Sequence, residues 1–180
     1  MERFDSFRLK HKNLGRDAFI SKNPPLWLVR ELLPEEGAEE MAKFSTVAIN
    51  LAATATPPKP LLPISAAALL GRMRTAPTSY YVYPMAKRDT GSWQGRILVG
   101  RALNADLVLR HPSVSKLHAY FELDAQGQAS LVDVRSCNGT LVDGQSIAKD
   151  IPVAIVPDVV VVFGSVRGAV ISSGRLFDSM

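Results

Sequence analysis

Polar residues that could bind an anion occur in three short stretches, each of which lies between apolar runs. The stretches are Gly100-Arg101, Ser113 to Ala119, and Asp133 to Thr140. Together they offer a guanidinium, an ammonium, hydroxyls and a carboxamide, which are the groups that neutralise and hydrogen-bond a phosphate-like oxyanion. Loops that are held by a rigid sheet can converge on such a ligand. Residue chemistry alone therefore indicates an oxyanion site and leaves open which anion binds.

Short strands are the elements that must position these stretches. After residue 80 the apolar period is two, and in the segment Leu117 to Leu123 every second residue is apolar, as in a half-buried strand. This spacing predicts an all-β domain, an antiparallel β-sandwich, with a last helical turn in GRLFDSM. The other predicted features are strands at YYVYPM, RILVG, Val159 to Phe163 and RGAVIS, the alternation of Val132 and Val134 with Asp133 and Arg135, and a hairpin turn at Asp143-Gly144.

The first 79 residues are predicted to form a mainly helical and irregular N-terminal extension to a domain at residues 80–180. Pro24-Pro25 precedes LWLVRELL, which we interpret as a short helix because proline is accepted near a helix start. A second helix is predicted from Glu35 to about Thr54, with an acidic first turn and apolar residues at spacings of three and four. A third is predicted to begin at a capping Ser65 and to carry Leu69, Leu70 and Met73.

The three polar stretches also carry a set of motifs: GR, then SxSKLHA, then DxxSxNGTxVDG, which ends at Gly144. In this order and at these separations the motifs resemble the forkhead-associated (FHA) domain, over about residues 80 to 180. The combination is specific, whereas a lone GR or NGT would be weak. The resemblance implies a non-catalytic β-sandwich that binds phosphothreonine peptides.

The resemblance implies a role for each residue of a phosphopeptide-binding set. Arg101 would pair with the phosphate or hold the peptide-binding loop, and Ser115 would donate its hydroxyl and backbone amide to the phosphate. Asn138 would hydrogen-bond the peptide backbone beside the phosphoresidue. Lys116 stands where the family usually has arginine or asparagine and would add a phosphate contact, although it lacks the fork geometry of arginine. Cys137 takes a position usually held by serine or threonine, and its thiol is a weaker donor than a hydroxyl.

Four further motif residues are expected to be structural. His118 would tie neighbouring loops together by hydrogen bonds, Gly139 and Thr140 would shape the turn after the asparagine, and Gly100 would end a strand. A cysteine nucleophile, Cys137, with His118 as its base is the catalytic alternative. The sequence shows no oxyanion hole or orienting partner for such a pair, so no catalytic residue is predicted.

The predicted function is a phosphothreonine-peptide-binding adaptor in serine/threonine kinase signalling. Its partner would be a threonine-phosphorylated protein or peptide, such as a serine/threonine kinase or its substrate. An alternative is a phosphate-independent protein–protein assembly module that uses the sandwich face or the N-terminal helix, which the lysine at 116 and the cysteine at 137 favour. A nucleic-acid-binding arm from Arg3 to Arg16 is disfavoured because Asp5 and Asp17 dilute its charge.

Composition narrows the class of protein further. The 180 residues carry 21 basic and 17 acidic side chains, a net charge of +4, and the basic excess lies in the first ninety residues. A single cysteine excludes an intramolecular disulfide and a multi-cysteine zinc site, and no cofactor or metal is predicted. The sequence shows no secretory signal or apolar run long enough for a membrane span. We therefore expect a soluble, cytoplasmic protein.

Overall fold

The computed structural model describes residues 1–32, 64–88, 93, 95–124 and 126–180. These residues form two β-sheets and a set of short helices, so the prediction of a sheet-rich, largely antiparallel fold is confirmed. The helices are α1 (Phe4–His11), α2 (Arg16–Lys22), α3 (Ala66–Thr75) and α4 (Ser173–Phe177), with a 3₁₀ turn at Pro77–Ser79.

The larger sheet has seven strands drawn from both ends of the chain. They are β1 (Glu2–Arg3), β2 (Leu26–Glu31), β3 (Tyr80–Pro84), β8 (Thr140–Val142), β9 (Gln145–Ser146), β11 (Val159–Phe163) and β12 (Val166–Ser172). Their order is β1-β3-β2-β12-β11-β8-β9, and every neighbouring pair is antiparallel.

The smaller sheet has five strands, and each of the three polar stretches adjoins the end of one of them. Its strands are β4 (Arg96–Gly100), β5 (Leu107–Val108), β6 (Ala119–Leu123), β7 (Ala129–Asp133) and β10 (Val153–Ile155). Their order is β10-β7-β6-β4-β5, with antiparallel pairs except for the parallel β4–β5 pair.

The main core joins the inner faces of the two sheets. Val99, Phe121 and Leu131 of the smaller sheet belong to one buried cluster with Leu28 and Val161 of the larger sheet. Because side chains alternate across a strand, every second residue of these strands enters that cluster. The shared core fixes the strand ends, and therefore the loops that follow them, relative to each other.

A second core covers the opposite face of the larger sheet. Phe7 and Phe19 from the first two helices pack around Trp27, with ring centroids 5.1 and 6.3 Å from it, and the Trp27 indole nitrogen donates to the Ser173 hydroxyl at 2.8 Å. The basic N-terminal segment is therefore folded against the sheet. The larger sheet separates this segment from the core that the two sheets share.

One helix prediction was wrong. The segment LWLVRELL does not begin a helix, because Leu26–Glu31 is a strand between β3 and β12. Leu28 enters the core between the sheets while Trp27 enters the helical core, so both faces of the strand are buried. A strand that is buried on both sides reads as a continuous apolar run, which periodicity cannot distinguish from a buried helix.

Other sequence predictions are confirmed where the structure describes them. Ser65 caps α3 by accepting a hydrogen bond from the Ala68 amide at 3.2 Å. Asp143 and Gly144, at φ 47° and 81°, form the predicted hairpin turn between β8 and β9. The helix predicted from Glu35 to about Thr54 lies outside the described residues. Strands from before and after residue 80 share one sheet, and the domain boundary placed there stays a prediction.

Candidate functional site

The first polar stretch is held against the second at the end of β4. A Cβ on Gly100 would overlap the carbonyl group of Lys116, so glycine permits this close approach. The Arg101 amide donates to the Ser115 carbonyl at 3.0 Å, and the Ala102 amide donates to the Lys116 carbonyl at 3.2 Å. These bonds fix the backbone positions of Arg101, Ser115 and Lys116 relative to each other.

Two cations of this loop pair are exposed. Arg101 and Lys116 both reach solvent, and within the described part of the chain neither forms an ion pair with a carboxylate. An exposed guanidinium and an exposed ammonium on adjoining backbone segments provide two positive charges for an anion. The structure therefore places the two residues predicted to contact phosphate on neighbouring backbone segments.

Ser115 presents its hydroxyl rather than its amide. The Ser115 amide donates to Nδ1 of His118 at 3.1 Å, while its Oγ accepts a hydrogen bond from the Cys137 amide at 3.1 Å. A hydroxyl that accepts one bond still has its own hydrogen to donate. Ser115 thus joins the second polar stretch to the third, and its hydroxyl is the group available to a ligand.

His118 is a structural link in its neutral form. Its Nε2 lies 3.1 Å from the Gly139 carbonyl, so this nitrogen carries the hydrogen, because Nδ1 already accepts the Ser115 amide. Burial lowers the pKa of His118 below its usual 6.5, and the Gly139 hydrogen bond and the charge of Asp133 only partly offset that effect. The neutral ring ties the two polar loops together.

Asp133 is a buried carboxylate that shapes the third polar stretch. Its two oxygens accept hydrogen bonds from the Ser136 amide at 2.7 Å, the Ser136 hydroxyl at 2.7 Å and the Thr140 hydroxyl at 2.6 Å. Burial of Asp133 alone would raise its pKa, but the hydrogen bonds from Thr140 and Ser136 outweigh burial and hold the pKa below the usual 3.8. The expectation that Asp133 lies on the polar face of its strand was wrong, because it is fully buried.

Left-handed backbone conformations complete this loop. Arg135 has φ 62° and Gly139 has φ 76°, and the Gly139 carbonyl also accepts the Gly164 amide at 3.1 Å. Arg135 is exposed and pairs with Asp150 at 2.6 Å, so its charge is already matched. The arginine that remains for a ligand on these loops is Arg101 rather than Arg135.

Asn138 and Cys137 lie at the exposed end of the loop. The Asn138 Nδ2 donates to the Ser113 carbonyl at 2.7 Å, which leaves its carboxamide oxygen available as an acceptor. Cys137 is a free, exposed cysteine whose backbone amide is held by Ser115. Cys137 and Asn138 each donate one hydrogen bond to the second polar stretch, and these two bonds hold the second and third stretches together.

The described contacts connect all nine site residues predicted from the sequence into one group of loops. The binding set is Arg101, Ser115, Lys116, Cys137 and Asn138, and the structural set is Gly100, His118, Gly139 and Thr140. Sequence reasoning assigned no supporting role to Ser113, Asp133 and Ser136 and did not select Gly164, although all four contact the site loops. An Asp followed three residues later by Ser is a turn signal that could have revealed the Asp133–Ser136 pair.

The described residues contain no cluster of three or more His, Cys, Asp or Glu side chains with the geometry to hold a metal ion. Among the helices in the described ranges, none is both long and apolar enough to cross a membrane.

Comparison with known proteins identifies the site-bearing segment. Residues 97–164 match the family model of the FHA domain, which confirms the resemblance seen in the sequence motifs. No curated protein matches the chain. Residues 97–164 are therefore similar to the FHA domain, a class of module that recognises phosphorylated motifs.

Solved structures of FHA domains are among those similar to this chain. The yeast Dun1 FHA domain, solved with a doubly phosphorylated peptide, is 16% identical, with 85% of this chain and 78% of that chain covered and a TM-score of 0.48. The FHA domain of CT664 from Chlamydia trachomatis is 22% identical, with 51% and 83% covered and a TM-score of 0.41. A chain solved in work on phosphothreonine-dependent FHA domain interactions is 24% identical, with 51% and 83% covered and a TM-score of 0.43.

Proposed function

We propose that the protein binds threonine-phosphorylated peptides through the loops that carry Arg101, Ser115, Lys116 and Asn138. One observation carries the proposal: backbone and side-chain hydrogen bonds join the three polar loops. These loops present a half-buried hydroxyl, an exposed carboxamide and two exposed cations that form no ion pair within the described residues. Phosphorylation adds a charge of about −1.5 to −2 to a partner, which these groups convert into charge-assisted hydrogen bonds.

Each group has a distinct task in this proposal. The Arg101 guanidinium neutralises the phosphate and donates to it through a fork, while Lys116 contributes a point charge. The Ser115 hydroxyl donates its hydrogen to a phosphate oxygen, because its amide is already bonded to His118. The Asn138 carboxamide oxygen accepts from the peptide backbone, which adds affinity that a free phosphate cannot gain.

The loops are arranged before any ligand arrives. The Ser115 hydroxyl and the Asn138 carboxamide are each fixed by one hydrogen bond, and His118 joins the loops that carry them. Binding therefore loses little conformational entropy in ordering this part of the protein. This preorganisation supports recognition of a short peptide segment whose own ordering is the main entropic cost.

The biological setting that we propose is adaptor function in serine/threonine kinase signalling. The ligand would come from a kinase or from a kinase substrate, and the cytoplasmic setting expected from the sequence would supply both. The preference for threonine over serine would come from contact with the extra methyl group, which is worth about 1 kcal/mol by burial. A phosphoserine ligand should therefore bind more weakly but still measurably.

Fluorescence anisotropy with a degenerate phosphothreonine peptide library tests the proposal. We expect binding that requires the phosphate and falls more than tenfold in Arg101→Ala, because a charged hydrogen-bonding pair is lost. Arg175→Ala is the matched control, since it removes an exposed arginine from α4 in the helical layer. Equal binding of the phosphorylated and unphosphorylated libraries would overturn the proposal, and light scattering would then test for phosphate-independent assembly.

A further inference from the structure

Ser113 is a half-buried residue whose backbone carbonyl holds the Asn138 side chain. Its carbonyl accepts the Asn138 Nδ2 at 2.7 Å, which sets the direction of the carboxamide. The carboxamide oxygen that remains can then point only where this bond allows. The position of the Ser113 backbone thus determines how the asparagine is presented.

The Ser113 hydroxyl anchors that backbone from two sides. The Ser165 amide donates to Ser113 Oγ at 2.8 Å, and His111 Nδ1 lies 2.7 Å from the same oxygen. The Ser113 amide also lies 3.2 Å from His111 Nδ1 and donates to it, so that nitrogen carries a lone pair. The Ser113 hydroxyl therefore donates to His111 and accepts from Ser165, which fixes its rotamer.

The turn between β11 and β12 is packed directly against this serine. Gly164 has φ 61°, and a Cβ at that position would overlap both the carbonyl and the hydroxyl of Ser113. The Gly164 amide also donates to the Gly139 carbonyl at 3.1 Å. A turn of the seven-stranded sheet is thereby joined to both sides of Asn138.

We propose that Ser113 is a positioning residue of the phosphopeptide site: through its hydroxyl it ties Asn138 to the Gly164–Ser165 turn and so sets peptide affinity. This inference rests on the proposed function for its binding consequence. Its structural part, the orientation of Asn138, does not depend on any ligand. In this role Ser113 does not contact the phosphate and acts only through Asn138.

Nuclear magnetic resonance of the unliganded full chain tests the structural part. In the parent protein we expect a scalar coupling across the hydrogen bond from the Asn138 side-chain amide to the Ser113 carbonyl, and slow exchange of the Ser165 amide. In Ser113→Ala the coupling should vanish and the exchange should accelerate, whereas Ser130→Ala, at a half-buried serine of β7, should change neither. An unchanged Asn138 signal in Ser113→Ala would overturn the inference. If that variant does not fold, His111→Ala provides the same comparison.

Peptide binding tests the functional part by a double-mutant cycle. With a peptide selected from the phosphothreonine library, Ser113→Ala should bind about fivefold more weakly, as for the loss of one hydrogen bond. In an Asn138→Ala background the same substitution should have no further effect. Binding of the free amino acid phosphothreonine, which has no peptide backbone to contact Asn138, should stay unchanged.

Two results separate the possible failures. If the parent binds phosphopeptide in an Arg101-dependent way and Ser113→Ala weakens binding equally with and without Asn138, the positioning role is wrong while the proposed function stands. If the parent binds no phosphopeptide, the proposed function fails, and the nuclear magnetic resonance comparison alone decides whether Ser113 orients Asn138.

Discussion

Replacing Asp133 with alanine should destabilise the protein more than any exposed substitution near the site. The carboxylate accepts three hydrogen bonds of 2.6 to 2.7 Å from Ser136 and Thr140, both of which are buried. Its removal leaves a buried amide and two buried hydroxyls without their acceptor, and the hydroxyls can rotate to recover part of the loss. Unsatisfied buried donors cost about 1 to 3 kcal/mol each, so we expect a loss of about 4 kcal/mol.

Urea unfolding followed by circular dichroism measures this loss at pH 7. Asp150→Asn is the control, because Asp150 is an exposed carboxylate that pairs with exposed Arg135 and should contribute less than about 1 kcal/mol. The pKa of Asp133 is below 3.8 in the folded protein, so its contribution should be present above that pH and be lost as the pH falls below it. A loss in Asp133→Ala no larger than that in Asp150→Asn would contradict the stabilising role assigned to the Asp133 carboxylate.

Three further perturbations have expected outcomes. Gly100→Ala should cost about 3 kcal/mol in urea unfolding, because its Cβ would overlap the Lys116 carbonyl, whereas Gly71→Ala in α3 meets no atom and should stabilise by about 0.5 kcal/mol. The pKa of His118 is lowered by burial, so the unfolded state binds more protons and stability should fall as the pH drops below 6.5; His118→Gln should flatten that slope. Deletion of residues 1–32 removes β2 from between β3 and β12 and should abolish cooperative unfolding.

The opposite results would count against each assignment. A neutral Gly100→Ala would show that the loops are not packed as described. A pH slope that is equal in His118→Gln would assign the titration to another group. A fragment that lacks residues 1–32 and still unfolds cooperatively would show that β2 is dispensable to the sheets.

Much of the strand pattern after residue 80 could be predicted, because β6 alternates buried and more exposed residues and β11 is an apolar run of strand length. The turn at Asp143-Gly144 could also be predicted from local sequence, since an Asp-Gly pair adopts positive φ at low cost. The strand at Leu26–Glu31 could not be predicted in this way. Both of its faces are buried, and the helices that cover one face are distant from it in sequence.

The residues that we propose to bind the peptide could be selected from motif and chemistry, whereas the contacts that orient them could not. Ser115 and Asn138 stand in recognisable polar stretches, but their orientation depends on His118, on the Ser113 carbonyl and on the Gly164 turn. Such contacts span up to about fifty residues of sequence, as between Ser113 and Ser165. Asp133 is also an exception to the simple rule that charged residues lie on the surface. Its burial is tolerated because both carboxylate oxygens accept hydrogen bonds.

Chemical-shift mapping with a selected phosphothreonine peptide tests the location of the site most directly. The proposed location predicts that the largest backbone amide shifts fall at Arg101, at Ser115 to Leu117 and at Cys137 to Gly139. Dephosphorylated peptide or Arg101→Ala should abolish these shifts. Shifts confined to α1, α2 or α4 in the helical layer, or shifts that persist without the phosphate, would contradict it.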